Sequence, residues 1–452
     1  MLYISSSLAV SDVSAASFSC TNLTASLGLS LVQTSGTEYT ATAQGTWSLF
    51  NSLDTPTCIV YPQSTADVQT IMTAIYHTQS KYAVLAGGHS GMVGYNSISA
   101  GVLISFEQMT NVSYDASSDT VTVQPGVHWA DAMTYLEPYG ISVLGGRAGD
   151  IGTGLLLGGG ISFLSPQYGW SSDSIKSADV VLVSGKMVTA NAANAHKDLF
   201  QALKGGANRF GIYPGSQSVA VSNASAAYIR ENTDPKATLM VLMNTMDLTS
   251  ADANIVYMYY QGTELPESIF GTFLSIPNTL QSFSNVSYYE MGTQIAGNAR
   301  GNGQQFGASA FVGDEETFLD GFNHLVNFTA NFKDQLDSSY MIISPVPRSQ
   351  WAVTKERGGN AIGDPGVAYA AMNFEPIYPA GVTAIPADVS AGFDLLLSQV
   401  PPSPGLPLYI NECDVSQKVY KTYPNYASLK KTYAKYDPTR FNMGHTVGPM
   451  GL

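Results

Sequence analysis

Three glycine-rich stretches hold the residues best suited to chemistry in this sequence. In the first, Tyr82-Ala-Val-Leu-Ala-Gly-Gly-His-Ser-Gly91, an apolar run ends at two glycines and a histidine follows at once. The others are Gly145-Gly-Arg-Ala-Gly-Asp-Ile-Gly-Thr-Gly154 and Gly158-Gly-Gly-Ile-Ser-Phe163. Glycine after a strand lets backbone N–H groups approach a phosphate closely, because no Cβ intervenes and positive φ is allowed. One such loop says little. Two in tandem, each after a β-like run, predict a diphosphate-bearing ligand held between them, with His89 beside it.

Other phosphate and metal chemistries do not fit. A dinucleotide fold of the Rossmann type needs Gly-x-Gly-x-x-Gly straight after a strand, a helix at once and an acid about twenty residues later. Neither loop has that order, and no Gly-Lys-Ser/Thr exists for a P-loop. The six histidines (His77, His89, His128, His196, His324 and His445) show no close pairing with Cys or carboxylate, so no metal site is predicted. The bland reading of His89 is a turn histidine that bonds backbone.

The elements that must position these loops are legible in outline. Ile59 to Tyr61 reads as a strand. Ser64-Thr-Ala-Asp67 then resembles a capping box opening a helix with apolar Val68, Ile71, Met72 and Ile75. Tyr82 to Ala86 is the next strand, and β-like pieces follow at Val102 to Ile104 and Val121 to Val123. A helix from Trp129 to Leu136 leads to a short run, Ile141 to Leu144, and the second loop. Val180 to Val183 and Lys186 to Thr189 read as a hairpin around Ser184-Gly185. Beyond Ile212, Thr238 to Met243, Ile255 to Tyr260 and Val367 to Phe374 read as strands separated by helical segments. A strand at Leu408 to Ile410 and a helix near Tyr426 to Tyr436 close the chain.

With 452 residues the chain can hold two or three domain-sized units. Charged residues are only 12%, about half the usual quarter, but 44% hydrophobic residues argue against disorder. A net charge of -14 without any Lys/Arg cluster argues against nucleic acid as a partner. No run is long enough to span a membrane. Asn-x-Ser/Thr sequons at Asn22, Asn111, Asn223, Asn285 and Asn327 fit a glycoprotein of the secretory route, or chance in a Ser/Thr-rich chain. Met1 to Ser19 lacks the basic start and clean apolar core of a signal peptide. Cys20 and Cys58 are read either as one disulfide with Cys413 unpaired, or with it as three buried thiols.

The order Gly-Gly-His-Ser, then Gly-Gly-Arg…Ile-Gly-Thr-Gly…Gly-Gly-Gly-Ile-Ser-Phe, then Gly205-Gly-Ala-Asn-Arg-Phe-Gly-Ile212, resembles the berberine bridge enzyme-like FAD-linked oxidases of the vanillyl-alcohol oxidase superfamily. The resemblance runs from Cys58 to Ile212 and is supported by Tyr409-Ile-Asn411 and Lys435-Tyr-Asp-Pro-Thr-Arg-Phe441. It implies an α+β protein: a two-part FAD-binding domain (1–212, with a returning segment at 406–452) and a substrate domain (213–405) built on an antiparallel sheet flanked by helices. FAD would lie against Ala86, Gly87, Gly88, His89, Ser90, Gly91, Gly94, Gly146, Arg147, Ala148, Asp150, Ile151, Gly152, Gly154, Gly159, Ile161, Asn208, Gly211, Ile212 and Asn411. In that family the first-loop histidine is bonded to the flavin 8α-methyl, so His89 is the implied tether. Many members add a cysteine link where Ala148 stands, which makes a thioether impossible here. Ile151 falls at the place that gates oxygen in the family, or else simply packs beneath the ring.

Tyr409 and Asn411 fall where the family places polar groups near the flavin, and strand alternation would put both on one face. Tyr409 is then the candidate base, against the plainer reading of a buried, satisfied tyrosine. In Val367 to Glu375, Tyr369, Asn373 and Glu375 share a face that either lines the substrate pocket or is solvated. Tyr257, Tyr259 and Tyr260 read as sheet packing more readily than as a ligand box. Some positions depart from the pattern: Leu85 and Ala86 replace an arginine and a glycine, and one glycine is missing between Gly154 and Leu155.

The resemblance implies a secreted flavoenzyme that oxidises a small organic substrate, a secondary metabolite, by hydride transfer to flavin N5, with molecular oxygen as acceptor. An oligosaccharide oxidase is the nearest alternative. A structural flavin, in a binding protein or a non-redox cyclase, is the alternative from another class.

Overall fold

The computed structural model describes residues 5–205, 218–246, 254–278, 281–294, 300–448 and 452. The first glycine loop grows out of a small sheet in the order β1 (Val32–Gln33), β2 (Cys58–Val60), β4 (Val102–Ser105), β3 (Tyr82–Leu85). β2 and β3 both run parallel to β4, with Cys58 and Tyr82 each opposite Val102. Parallel neighbours need a crossover. Helix α2 (Thr65–Thr78) carries the chain from β2 to β3 on the far side of β4, burying Ile71, Met72 and Ile75 as its spacing predicts. The N-terminal helix α1 (Ser5–Leu27) packs Cys20 and Leu23 against that helix and sheet, and Cys20 is disulfide-bonded to Cys58 of β2. Cys413 is buried, and its thiol donates to Ile410 O at 3.3 Å.

The start of α2 is fixed locally. Ser64 Oγ accepts the Asp67 N–H at 3.2 Å, and the Asp67 carboxylate accepts the Ser64 N–H at 2.9 Å. Ser64→Ala should therefore cost about 1 kcal/mol, read as a lowered midpoint in thermal unfolding.

Two hairpins follow, β5 (Val112–Asp115) with β6 (Thr120–Val123) and β7 (Ser177–Val181) with β8 (Met187–Asn191). Between them helix α3 (Trp129–Leu136) has the bounds read from sequence. The run Ile141 to Leu144 is not a strand. Gly140, at φ 67°, turns the chain, and Gly145 N–H bonds back to Val143 O at 2.8 Å, so the segment never lies along a partner edge.

The second sheet runs β10 (Asn254–Tyr260), β9 (Ala237–Asn244), β13 (Ser338–Val346), β14 (Tyr369–Tyr378), β11 (Gly303–Gln304), and β12 (Gly307–Phe311) also pairs with β14. Every pair is antiparallel. Helices α4 (Ser218–Glu231), α5 (Glu315–Phe332) and α6 (Ala387–Gln399) cover one face, where Met341, Ile343, Met372 and Phe374 meet Phe318, Phe322, Phe328 and Phe393. The fold is thus α+β, with the antiparallel sheet flanked by helices as expected.

The other face carries Tyr340, Ile342 and Ser344 of β13 and Tyr369, Ala371, Asn373 and Glu375 of β14, all buried. The solvated reading of that polar face is thereby corrected: polar residues occupy it because it meets the glycine loops and the C-terminal segment. Tyr257 and Tyr259 pack onto an aromatic cluster that includes Phe163 and Tyr340, while Tyr260 turns to the opposite side.

Leu408 to Ile410 is also not a strand. Pro407 has no N–H to give, Leu408 N–H is taken by Thr422 Oγ1 at 3.0 Å, and Glu412 N–H bonds Tyr409 O at 2.9 Å, closing a 3₁₀ turn over Ile410–Glu412. Helix α7 (Tyr426–Tyr436) follows with the bounds read from sequence.

Candidate functional site

The first loop leaves β3 and turns sharply at Gly88, whose φ is 75°. Its carbonyl accepts the Trp47 N–H at 3.0 Å, which brings the Trp47 indole onto the His89 ring, stacked at 4.4 Å between centroids and 10° between planes. Asn51 clamps the same loop: its Nδ2 donates to Ser90 O at 2.8 Å and its Oδ1 accepts the Gly94 N–H at 2.7 Å. A side chain at Gly91 would meet the Phe306 ring at 2.9 Å. Trp47 and Asn51 have no signal in the sequence, because nothing near them in the chain marks them as partners of this loop.

The second loop abuts the first backbone to backbone. A Cβ on Gly152 would fall 2.6 Å from Gly87 N and 2.7 Å from Gly87 Cα, so both positions need glycine. Gly146 lies against Trp129 and Ile151, whereas Gly154 faces open space. Ala148 and Ile151 are buried in an apolar cluster with Trp129, Met133 and Leu155.

His89 is 4% exposed and its Nδ1 lies 3.1 Å from Asp150 Oδ2. Burial pushes the imidazole below its ordinary range against the opposing pull of Asp150, so the ring is neutral near pH 7. Burial also pushes Asp150 up, but hydrogen bonding, first from His89, prevails and holds the carboxyl below the usual carboxylate range. An ionised carboxylate only accepts, so His89 Nδ1 carries the proton and Nε2 the lone pair.

The third glycine stretch meets the C-terminal turn. Tyr409 OH accepts the Ile161 N–H at 3.1 Å and Asn411 Nδ2 at 2.8 Å, and Asn411 Nδ2 also lies 3.2 Å from Leu155 O. Tyr409 and Asn411 are therefore neighbours, as expected, through a turn rather than strand alternation. Gly159, at φ 98°, packs on Trp170. Arg147, from the second loop, donates to Ser344 Oγ on β13 at 3.2 Å and lies 3.8 Å from Glu412 Oε1. Glu412, an acid directly after Asn411, is a site residue that sequence reasoning missed. Asn208, Gly211 and Ile212 lie outside the described residues.

Burial dominates the electrostatics here. Tyr409 and Tyr369 are pushed well above the ordinary phenol range, first by burial. Glu375 is raised well above a normal carboxyl by burial and then by Glu412. Glu412 itself is pushed up to about 8 by burial, with Arg147 pulling the other way. An acid raised on folding stabilises the fold fully below its unfolded value, near 4.5, and that stability is lost as pH rises to about 8. Glu412→Gln removes the loss. Its thermal midpoint relative to the parent should climb across that window in differential scanning fluorimetry, and a flat difference would show that the carboxyl does not stay protonated in the fold.

The buried polar atoms of these segments call for a donor-bearing ligand. Asp150 Oδ1, Asn373 Oδ1, Glu375 Oε1, Asn411 Oδ1 and both Glu412 oxygens are buried without a hydrogen-bond partner in the chain, and such atoms demand donors. The imide N–H and ribityl hydroxyls of FAD are donors of that kind. Among the described residues no group of three or more His, Cys, Asp or Glu could hold a metal ion, and no helix is long and apolar enough to cross a membrane.

Comparison with known proteins agrees with these loops. Residues 56–191 match the FAD binding domain family. An uncharacterized FAD-linked oxidoreductase of Arthroderma benhamiae is 31% identical over 368 residues, 74% of this chain and 72% of that protein. Among solved structures, the BBE-like 1 protein of Physcomitrella patens superposes with a TM-score of 0.73 at 17% identity, covering 93% of this chain and 97% of that one. Glucooligosaccharide oxidase from Acremonium strictum, described with a 6-S-cysteinyl, 8α-N1-histidyl FAD, gives 0.74 at 18% identity over 96% of this chain and 100% of that one.

Proposed function

The chain belongs to the FAD-linked oxidoreductases, with the fold of the berberine bridge enzyme-like flavoproteins, and on that premise we propose that it oxidises a small organic alcohol using FAD tethered to His89. The observation that carries this reading is the buried His89 imidazole, stacked on Trp47 and held by Asp150 where the two glycine loops meet. A neutral imidazole has the lone pair needed to bond carbon, and a tether prevents the cofactor from dissociating. Ala148 offers no thiol, so the tether is single. FAD, when bound, supplies the acceptor for two electrons and the substrate's carbon-bound hydrogen.

The chain's own residues do the rest. Amides of the glycine loops face the diphosphate. Tyr409, with both acceptor positions filled, offers its O–H to orient a substrate hydroxyl. Asn373 lines the ceiling with Tyr369. In the same reading residues 1–212 and 406–452 form the cofactor domain and 213–405 the substrate domain. Four of the sequon asparagines are exposed and Asn22 is half-buried; with the Cys20–Cys58 disulfide this supports a secretory destination.

Anaerobic stopped-flow mixing with a panel of benzylic, allylic and aliphatic alcohols tests the reading through loss of the yellow flavin band. Bleaching by cellobiose or xylobiose instead would favour an oligosaccharide oxidase. A flavin that stays yellow with every compound would sink oxidation altogether and favour a structural cofactor.

A further inference from the structure

We infer that Glu412 is the group that takes the proton from the substrate hydroxyl, with Arg147 as its positioning partner. This role rests on the alcohol oxidation proposed above. The 3₁₀ turn Ile410–Glu412 carries the carboxyl to a position that is 0% exposed, where neither oxygen meets a hydrogen-bond donor in the chain. A buried carboxyl with no donor is costly to keep, and a hydroxyl-bearing substrate is the kind of ligand that would answer it. The charged and titratable groups facing it are Arg147 from the second loop at 3.8 Å, Glu375 from β14, and Tyr409 from its own segment. Ser344 on β13 anchors Arg147, and the guanidinium holds the charge that the carboxyl gains or loses.

Tyr409 is the obvious rival, and its geometry argues against it. Its oxygen already accepts two hydrogen bonds, so a neutral phenol there has only its proton to give. Burial and the neighbouring Glu412 charge both hold that proton on. Glu412, titrating at about 8, is instead in the range where a general base works best. In the step, the Glu412 carboxylate would take the substrate O–H proton, and FAD, when bound, would supply the acceptor for the carbinol hydrogen with its electron pair. The alcohol becomes a carbonyl and glutamate becomes glutamic acid. Dioxygen then takes the two electrons, that hydrogen and the Glu412 proton, and leaves as hydrogen peroxide.

Two measurements on the FAD-loaded protein decide the matter. Sulfite, an anion that adds reversibly to oxidised flavin, is the first probe and requires no known substrate. The parent should lose sulfite affinity by an extra factor on the order of ten through a transition near pH 8, as ionised Glu412 repels the anion. Tyr409→Phe should keep that transition, Glu412→Asp should move its midpoint, and Glu412→Gln should abolish it. A transition that persists in Glu412→Gln, or disappears in Tyr409→Phe, overturns the inference. Should Glu412→Gln fail to hold FAD, an unmoved midpoint in Glu412→Asp overturns it equally.

The second measurement uses an alcohol from the panel that bleaches the flavin. Glu412→Gln should slow bleaching roughly 100-fold and erase its rise with pH. If no alcohol bleaches the flavin, the oxidation fails and this role with it. Bleaching at the parental rate in Glu412→Gln sinks the role alone.

Discussion

His89→Ala should give a protein whose yellow colour washes away completely on acid precipitation, whereas the parent's pellet stays yellow. Both should still bind FAD while folded, because the glycine loops proposed to hold the diphosphate do not depend on the imidazole. The tether needs a neutral ring in a fixed pose, and three features supply it: burial to 4% exposure, the Trp47 stack and the Asp150 hydrogen bond. Alanine removes the imidazole, and position 148 has no sulfur to take its place. In-gel flavin fluorescence after denaturation reads the result directly. A colourless pellet from the parent would refute the tether, and a yellow one from His89→Ala would assign it to another residue.

Gly152→Ala should produce a large structural defect at the contact between the loops. The new Cβ would lie 2.6 Å from Gly87 N and 2.7 Å from Gly87 Cα. Overpacking against side chains costs typically 1–3 kcal/mol, because rotamers can yield. Here backbone must separate from backbone, so the upper end, about 3 kcal/mol, is expected. Gly152 itself has φ -96°, a conformation alanine adopts freely, so the cost is steric. The control is Gly154→Ala, where nothing lies within 4 Å and little should change. Thermal unfolding with the flavin-to-protein ratio checks both, and equal midpoints for the two variants would mean that the loops do not touch as described.

Local rules carried much of the fold into the sequence. The α2 capping box needs only Ser64 and Asp67, three residues apart, and the bounds of α3 and α7 follow from apolar spacing that a few neighbouring residues settle. The β7–β8 hairpin needs one glycine with positive φ at its turn, and Gly185 has it at 79°. Where local reading failed, the backbone N–H groups that a ladder would need were turned away or taken elsewhere. Ile141 to Leu144 is apolar enough for a strand but is offered no edge to pair with. Leu408 to Ile410 became part of a turn because Thr422 takes the N–H that a ladder would have used.

The site divides the same way. The sequence by itself determined the loop glycines, a histidine at the first loop and an alanine where a cysteine link would need sulfur, because each is a matter of residue type at a position. Tertiary structure alone decided which groups would be neutral, charged or satisfied. Trp47 and Asp150 meet His89, Arg147 meets Glu412, and a polar strand face that alternation left undecided turns inward. Protonation and hydrogen bonding depend on the dielectric and on partners within a few ångströms, and those partners come from segments that the linear chain keeps far apart.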